Sequence, residues 1–87
     1  MNNEQKENKL LLEVGDLYVE NDSPFGRITY LIEKEDGLSI ARGKIFRLRR
    51  FIENIKPDTC YMYESDIIMN IKDGYAELVK HNKDNKN

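Results

Sequence analysis

The sequence predicts a small α+β domain: an antiparallel sheet, or an SH3-like curled barrel, carrying two helices in the order βββαβαβ. Three observations predict it. Residues 27–35, RITYLIEKE, are rich in β-branched and aromatic side chains. They set Ile28, Tyr30 and Ile32 on one face and Thr29, Leu31 and Glu33 on the other, the two-residue period of a half-buried strand. Residues 43–56, GKIFRLRRFIENIK, space Ile45, Leu48, Ile52 and Ile55 three and four apart, within about a third of a helical turn. Gly, Pro, Asn and Asp punctuate the chain at short intervals, so every element is short.

In chain order, residues 10–21 (LLLEVGDLYVEN) read as strand material interrupted at Gly15-Asp16, with Leu17 and Val19 alternating with Asp16, Tyr18 and Glu20. NDSPFG at 21–26 is a turn cluster, because Pro24 fixes φ while Gly26 tolerates a positive value. Asp36-Gly37 ends the second strand with a hairpin signal, and Leu38–Ala41 should return antiparallel beside it. Gly43 opens the amphipathic helix and Pro57 ends it. A competing reading runs a strand through residues 44–51, with Ile45, Arg47, Arg49 and Phe51 on one face and Lys44, Phe46, Leu48 and Arg50 on the other. Both strand faces mix apolar and charged residues whereas the helical wheel separates them, so the expectation is helix, with Phe46 exposed beside the arginines. Thr59–Tyr63 forms a fourth strand. Ser65 caps a second helix with an Ile67, Ile68, Ile71 stripe and a Gly74 stop, and residues 75–79 close the sheet.

An 87-residue chain holds one domain, assigned to residues 10–79. Residues 1–9 and 80–87 are too polar to offset the cost of ordering them and are expected to be disordered tails. A domain this small gains appreciably from a partner, and a homodimer is compatible with its size. Cys60 is the single cysteine, which excludes an intramolecular disulfide and fits a reducing cytoplasm. Neither a signal-peptide pattern nor an apolar run of membrane-spanning length occurs, so the expected location is the cytoplasm, without a membrane role.

The residue types needed for catalysis are not brought together. His81 is the single histidine and falls in the polar C-terminal stretch, so Cys60 has no histidine on an ordered element to activate it. Paired metal ligands and phosphate-binding glycine loops are missing from the sequence, and the expectation is a non-enzymatic protein with no cofactor, no catalytic residue and no metal. Charge is segregated instead. Residues 37–56 carry 6 basic and 1 acidic side chains, within a chain of net charge −2. The candidate partner-binding residues are therefore Lys44, Phe46, Arg47, Arg49 and Arg50, since arginine forks pair with carboxylate or phosphate and arginine is enriched at interface hot spots. A secondary acidic surface is assigned to Glu33, Glu35, Asp36, Glu64 and Asp66. The bland alternative is a solvated basic surface neutralised by Asp58, Glu64, Asp66 and Asp73. A nucleic-acid binder normally carries a net basic footprint, and the acidic pI near 5.4 favours a protein partner over nucleic acid.

The opening LEVGDLYVEN, the central RITYLIEKEDG, the closing SDIIMNIKDGYAELV and the Asn- and Lys-rich ends together resemble small proteins of bacteriophages and prophages of Gram-positive bacteria rich in A and T. That group includes inhibitors of host enzymes and of antiviral defence systems, among them anti-CRISPR proteins. The resemblance implies a stoichiometric inhibitor or modulator that acts on a larger host or defence protein through its surface. The alternative function is a small nucleic-acid-binding regulator using residues 44–55.

Overall fold

The computed structural model describes residues 10–81. Five strands form one antiparallel sheet: β1 (Leu17–Ser23), β2 (Gly26–Ser39), β3 (Gly43–Ile52), β4 (Ile55–Tyr63) and β5 (Ala76–Val79). A single helix, α1 (Glu64–Lys72), joins β4 to β5. The spatial order is β4-β3-β2-β1-β5, so four strands meander and the fifth crosses back to pair with β1. The sheet is open, with β4 and β5 at its edges, and the element order is ββββαβ rather than the expected βββαβαβ.

The expected helix over residues 43–56 is a strand and a hairpin. Phe46 and Leu48 are fully buried, whereas Ile55 is 53% exposed, the reverse of the wheel for Phe46 and Ile55. The wheel weighs only neighbours along the chain, and both faces of β3 mixed charge with apolar groups. The partners that compensate that charge lie across the sheet: Asp58 on β4 faces Arg50, and Glu33 on β2 faces Arg47 and Arg49. Once those carboxylates are in place, β-branched and aromatic residues at 45, 46, 51 and 52 favour the extended form. Asn54 adopts φ 65 in the tight turn between Ile52 and Ile55, a conformation asparagine tolerates. Pro57 lies within β4, where an edge strand accepts a residue that lacks an N–H.

The Asp36-Gly37 pair is not a hairpin either. β2 continues through it to Ser39, with a register shift between Glu35 and Gly37, and the chain turns at residues 40–42. The remaining elements follow the sequence closely. Ile28, Tyr30 and Ile32 point into the core while Thr29, Leu31 and Glu33 are half-buried on the other face. Residues 24–25 turn tightly between Ser23 and Gly26. In α1 Ile67 is buried, Ile68 and Ile71 pack against the core, and Gly74 closes the helix at φ 87. Ser65 is inside the first turn rather than the cap, which Tyr63 occupies without a side-chain bond.

Packed together on the helix side are Leu12, Tyr18, Ile28, Tyr30, Ile32, Phe46, Leu48, Ile67 and Ala76. Tyr18, not Leu17 or Val19, is the inward residue of β1. Asp16 locks the ends of this core. Its carboxylate, 0% exposed, accepts from the Glu13 amide (3.0 Å), the Lys80 ammonium (2.7 Å) and the His81 amide (3.0 Å). The expected tail at 1–9, and residues 82–87 of the one expected at 80–87, lie outside the described residues, but Lys80 and His81 are tied to Asp16, the residue before β1, through this carboxylate.

Candidate functional site

The helix covers one face of the sheet, and the opposite, outer face is where alternation sends every second residue of the strands. Pairing registers set its rows. Thr59, Arg49, Leu31, Leu17 and Val79 form one; Phe51, Thr29, Val19 and Glu77 form the next; Tyr61, Arg47 and Glu33 flank them. Val19, on the strand next to edge strand β5, is buried, while Phe51, Tyr61 and Val79 are exposed. Among the described residues no secondary-structure element packs over it. The outcome is an apolar strip, Leu17, Val19, Leu31 and Phe51, beside a charged cluster on β2 and β3.

That cluster is internally paired. Glu33, at the register shift of β2, receives the Arg49 Nε at 3.0 Å and has the Arg47 Nε at 3.6 Å. The Arg47 Nε is itself buried and makes no hydrogen bond. One carboxylate between two guanidinium groups leaves a net positive spot at the border of the apolar strip, and the Arg47 and Arg49 side chains are partly exposed there.

The five residues expected to act together therefore separate. Arg47 and Arg49 share the outer face. Phe46 is at the centre of the core and is no exposed anchor. Arg50 points to the helix side, where Asp58 accepts from its Nε at 2.9 Å and from a second guanidinium nitrogen. This pairing raises the Arg50 pKa and holds the Asp58 carboxyl below the usual range. Lys44 reaches Glu35 at 3.1 Å, near the end of β2. The acidic residues divide as well. Glu33 and Glu35 pair with β3 cations, and Asp36 pairs with Lys34 at 3.7 Å. Asp66 pairs with Arg42 at 3.7 Å, and Glu64 accepts the Lys44 amide at 2.9 Å, so both link the helix to the β2–β3 turn and the start of β3.

Two polar clusters were not foreseen. On the helix side, the Tyr18 and Tyr30 hydroxyls donate to the two oxygens of Glu20 at 3.2 and 3.1 Å, and the Asn70 amide donates to the Tyr18 oxygen at 2.8 Å. Burial pushes the Tyr18 hydroxyl up to about 12 and raises that of Tyr30, so both remain neutral donors. The available signal was the shared phase of Tyr18 and Tyr30 in their strands. At the other end, Glu13, Asp16 and His81 bring ligand atoms within 4.8 Å of one another. Lys80 already places its ammonium on Asp16, which gives that carboxylate a cation from the chain itself. Cys60 is half-buried beside the core, and burial raises its thiol pKa, away from the thiolate needed for nucleophilic or ligand chemistry.

Comparison with known protein families, with curated proteins and with solved structures returns no match. What fold and site define is a small α+β protein of one open sheet and one helix, and among the described residues no helix is long and apolar enough to cross a membrane.

Proposed function

We propose that this is a non-enzymatic protein-binding module that docks through the outer face of its sheet. In line with the resemblance described above, its partner is a larger host or defence protein, and its action is that of a phage-encoded inhibitor or modulator working from the cytoplasm. The observation that carries the reading is the outer face, over which no secondary-structure element packs among the described residues: exposed Phe51, Tyr61 and Val79 on it, and the Arg47–Glu33–Arg49 group at its border. Apolar and aromatic groups bordered by arginine match the composition of interface hot spots. The partner surface that fits is apolar with a carboxylate placed to meet the partly exposed side chains of Arg47 and Arg49.

The arginine pairings weigh against the nucleic-acid alternative. Lys44, Arg47, Arg49 and Arg50 each already have a carboxylate within 4.0 Å, so a phosphate backbone would have to compete with Glu33, Glu35 and Asp58 for every one of them. Affinity capture from a host lysate, with and without nuclease, tests the reading. Capture of one protein should survive nuclease, be lost with Phe51→Asp on the outer face, and persist with Arg50→Gln on the helix side. Capture abolished by nuclease would assign the surface to nucleic acid, and capture unaffected by Phe51→Asp would remove the face from the proposal.

A further inference from the structure

On the helix side of the sheet, where β1 turns into β2, Glu20, Ser23, Pro24, Asn70 and Tyr75 line a cleft of about 250 Å³. Drug-sized ligands occupy sites of roughly 300 to 1,000 Å³, so this cleft has room for one side-chain head group. Its chemistry is that of a cation receptor. Among the described residues Glu20 has no cationic partner: two phenols orient its carboxylate through one hydrogen bond to each oxygen, and each oxygen keeps a further lone pair. Arg50, a cation on this face, is engaged by Asp58.

The surroundings add to that preference. Asn70 uses its amide N–H on Tyr18, which fixes the side chain with its carbonyl oxygen still an acceptor. It sits in the last turn of α1, the negative end of the helix dipole. Tyr75 is held from both sides, its amide donating to the Asn70 carbonyl at 3.0 Å and its carbonyl accepting from the Asn21 amide at 3.2 Å. The half-exposed ring is thereby placed at the cleft wall as an aromatic surface.

We propose that this cleft receives the guanidinium group of an arginine side chain from a partner protein. Arginine fits better than lysine because its planar fork can meet the two oxygens of Glu20 together and lie flat on the Tyr75 ring, whereas an ammonium is a compact point charge without that planar geometry. The site lies on the face opposite the docking surface proposed above and does not rest on that reading.

The test is a titration of the isotope-labelled full chain with N-acetyl-argininamide, followed by amide chemical shifts. Saturable shifts are expected at residues 20, 23, 70 and 75. Glu20→Gln keeps an acceptor for the tyrosines but removes the charge, and it should weaken binding by about tenfold or more, the size of a charge-assisted hydrogen bond. Tyr75→Ala should weaken it while leaving the fold intact, and Phe51→Asp should leave it unchanged. The neutral isostere N-acetyl-citrullinamide should produce no saturable shifts. Equal response to the citrulline probe, or undiminished binding by both Glu20→Gln and Tyr75→Ala, would overturn the proposal. Tighter binding of free arginine than of the blocked probe would overturn its assignment to a peptide side chain.

Discussion

At the scale of single residues, Asp16 shows how a buried charge is tolerated and what it costs to disturb. Burial by itself raises its pKa, but the bonds from Lys80, His81 and Glu13 and the charge of Lys80 outweigh that and leave it below its ordinary value. The carboxylate is thus ionised, and it holds residue 13 on one side and residues 80 and 81 on the other. A folded-state pKa below the unfolded value of about 3.9 contributes stability that is present above that pH and is lost as pH falls through the lower folded value. Asp16→Asn should cost about 1–3 kcal/mol at neutral pH, because the amide cannot satisfy all three donors. In urea unfolding at a series of pH values, the stability difference between wild type and variant should shrink below about pH 4. A constant difference across the acid range would remove the carboxylate charge from this role.

At the scale of elements, the outcome depended on where each segment finds its partners. β2 was legible because its Ile28, Tyr30, Ile32 alternation is self-sufficient: one face apolar, one mixed. α1 was legible from the 67, 68, 71 stripe and Gly74. β3 was not, because its charges are compensated across the sheet by Glu33 and Asp58, separated from them by 14 to 16 and 8 residues along the chain, and a local pattern cannot register such pairs. The competing alternation had nonetheless placed Arg47, Arg49 and Phe51 on one face and Phe46, Leu48 and Arg50 on the other, which is the division the fold uses. So the sequence singles out the arginines as a group, but their division between two faces required the pairing. The start of β3 carries its own prediction. Gly43 has φ 80, and a Cβ there would meet the Glu64 side chain, which accepts the Lys44 amide. Gly43→Ala should therefore destabilise by about 1–3 kcal/mol, the cost of a strained backbone position, read as a lower denaturation midpoint with an unchanged slope. A variant as stable as wild type would mean that β3 and α1 are not joined at this point.

At the scale of the whole molecule, one helix and five strands give a core on one side of the sheet only. A small domain has little apolar area to spare, so leaving Leu17, Leu31, Phe51 and Val79 outside it is unexpected unless that face has a use. The charge segregation seen in the sequence is largely resolved inside the fold, since the basic residues of β3 meet acidic residues of β2 and β4. What is left at the surface is an apolar strip with Arg47 and Arg49 at one border. Because Phe51 is already 39% exposed, Phe51→Asp should change stability by less than about 1 kcal/mol even as it abolishes capture, and a thermal melt run beside the capture assay separates the two effects.

The account depends above all on the strand at 43–52, which sends Phe46 and Leu48 inward and Arg47, Arg49 and Phe51 outward. Denaturant unfolding of Phe46→Ala and Ile55→Ala tests it most directly, since a helix over 43–56 would bury Ile55 and expose Phe46. The strand predicts a loss of about 3–5 kcal/mol for Phe46→Ala and under about 1.5 kcal/mol for Ile55→Ala. The opposite order, with Ile55→Ala the damaging change and Phe46→Ala nearly neutral, would contradict the division of faces on which the binding surface rests.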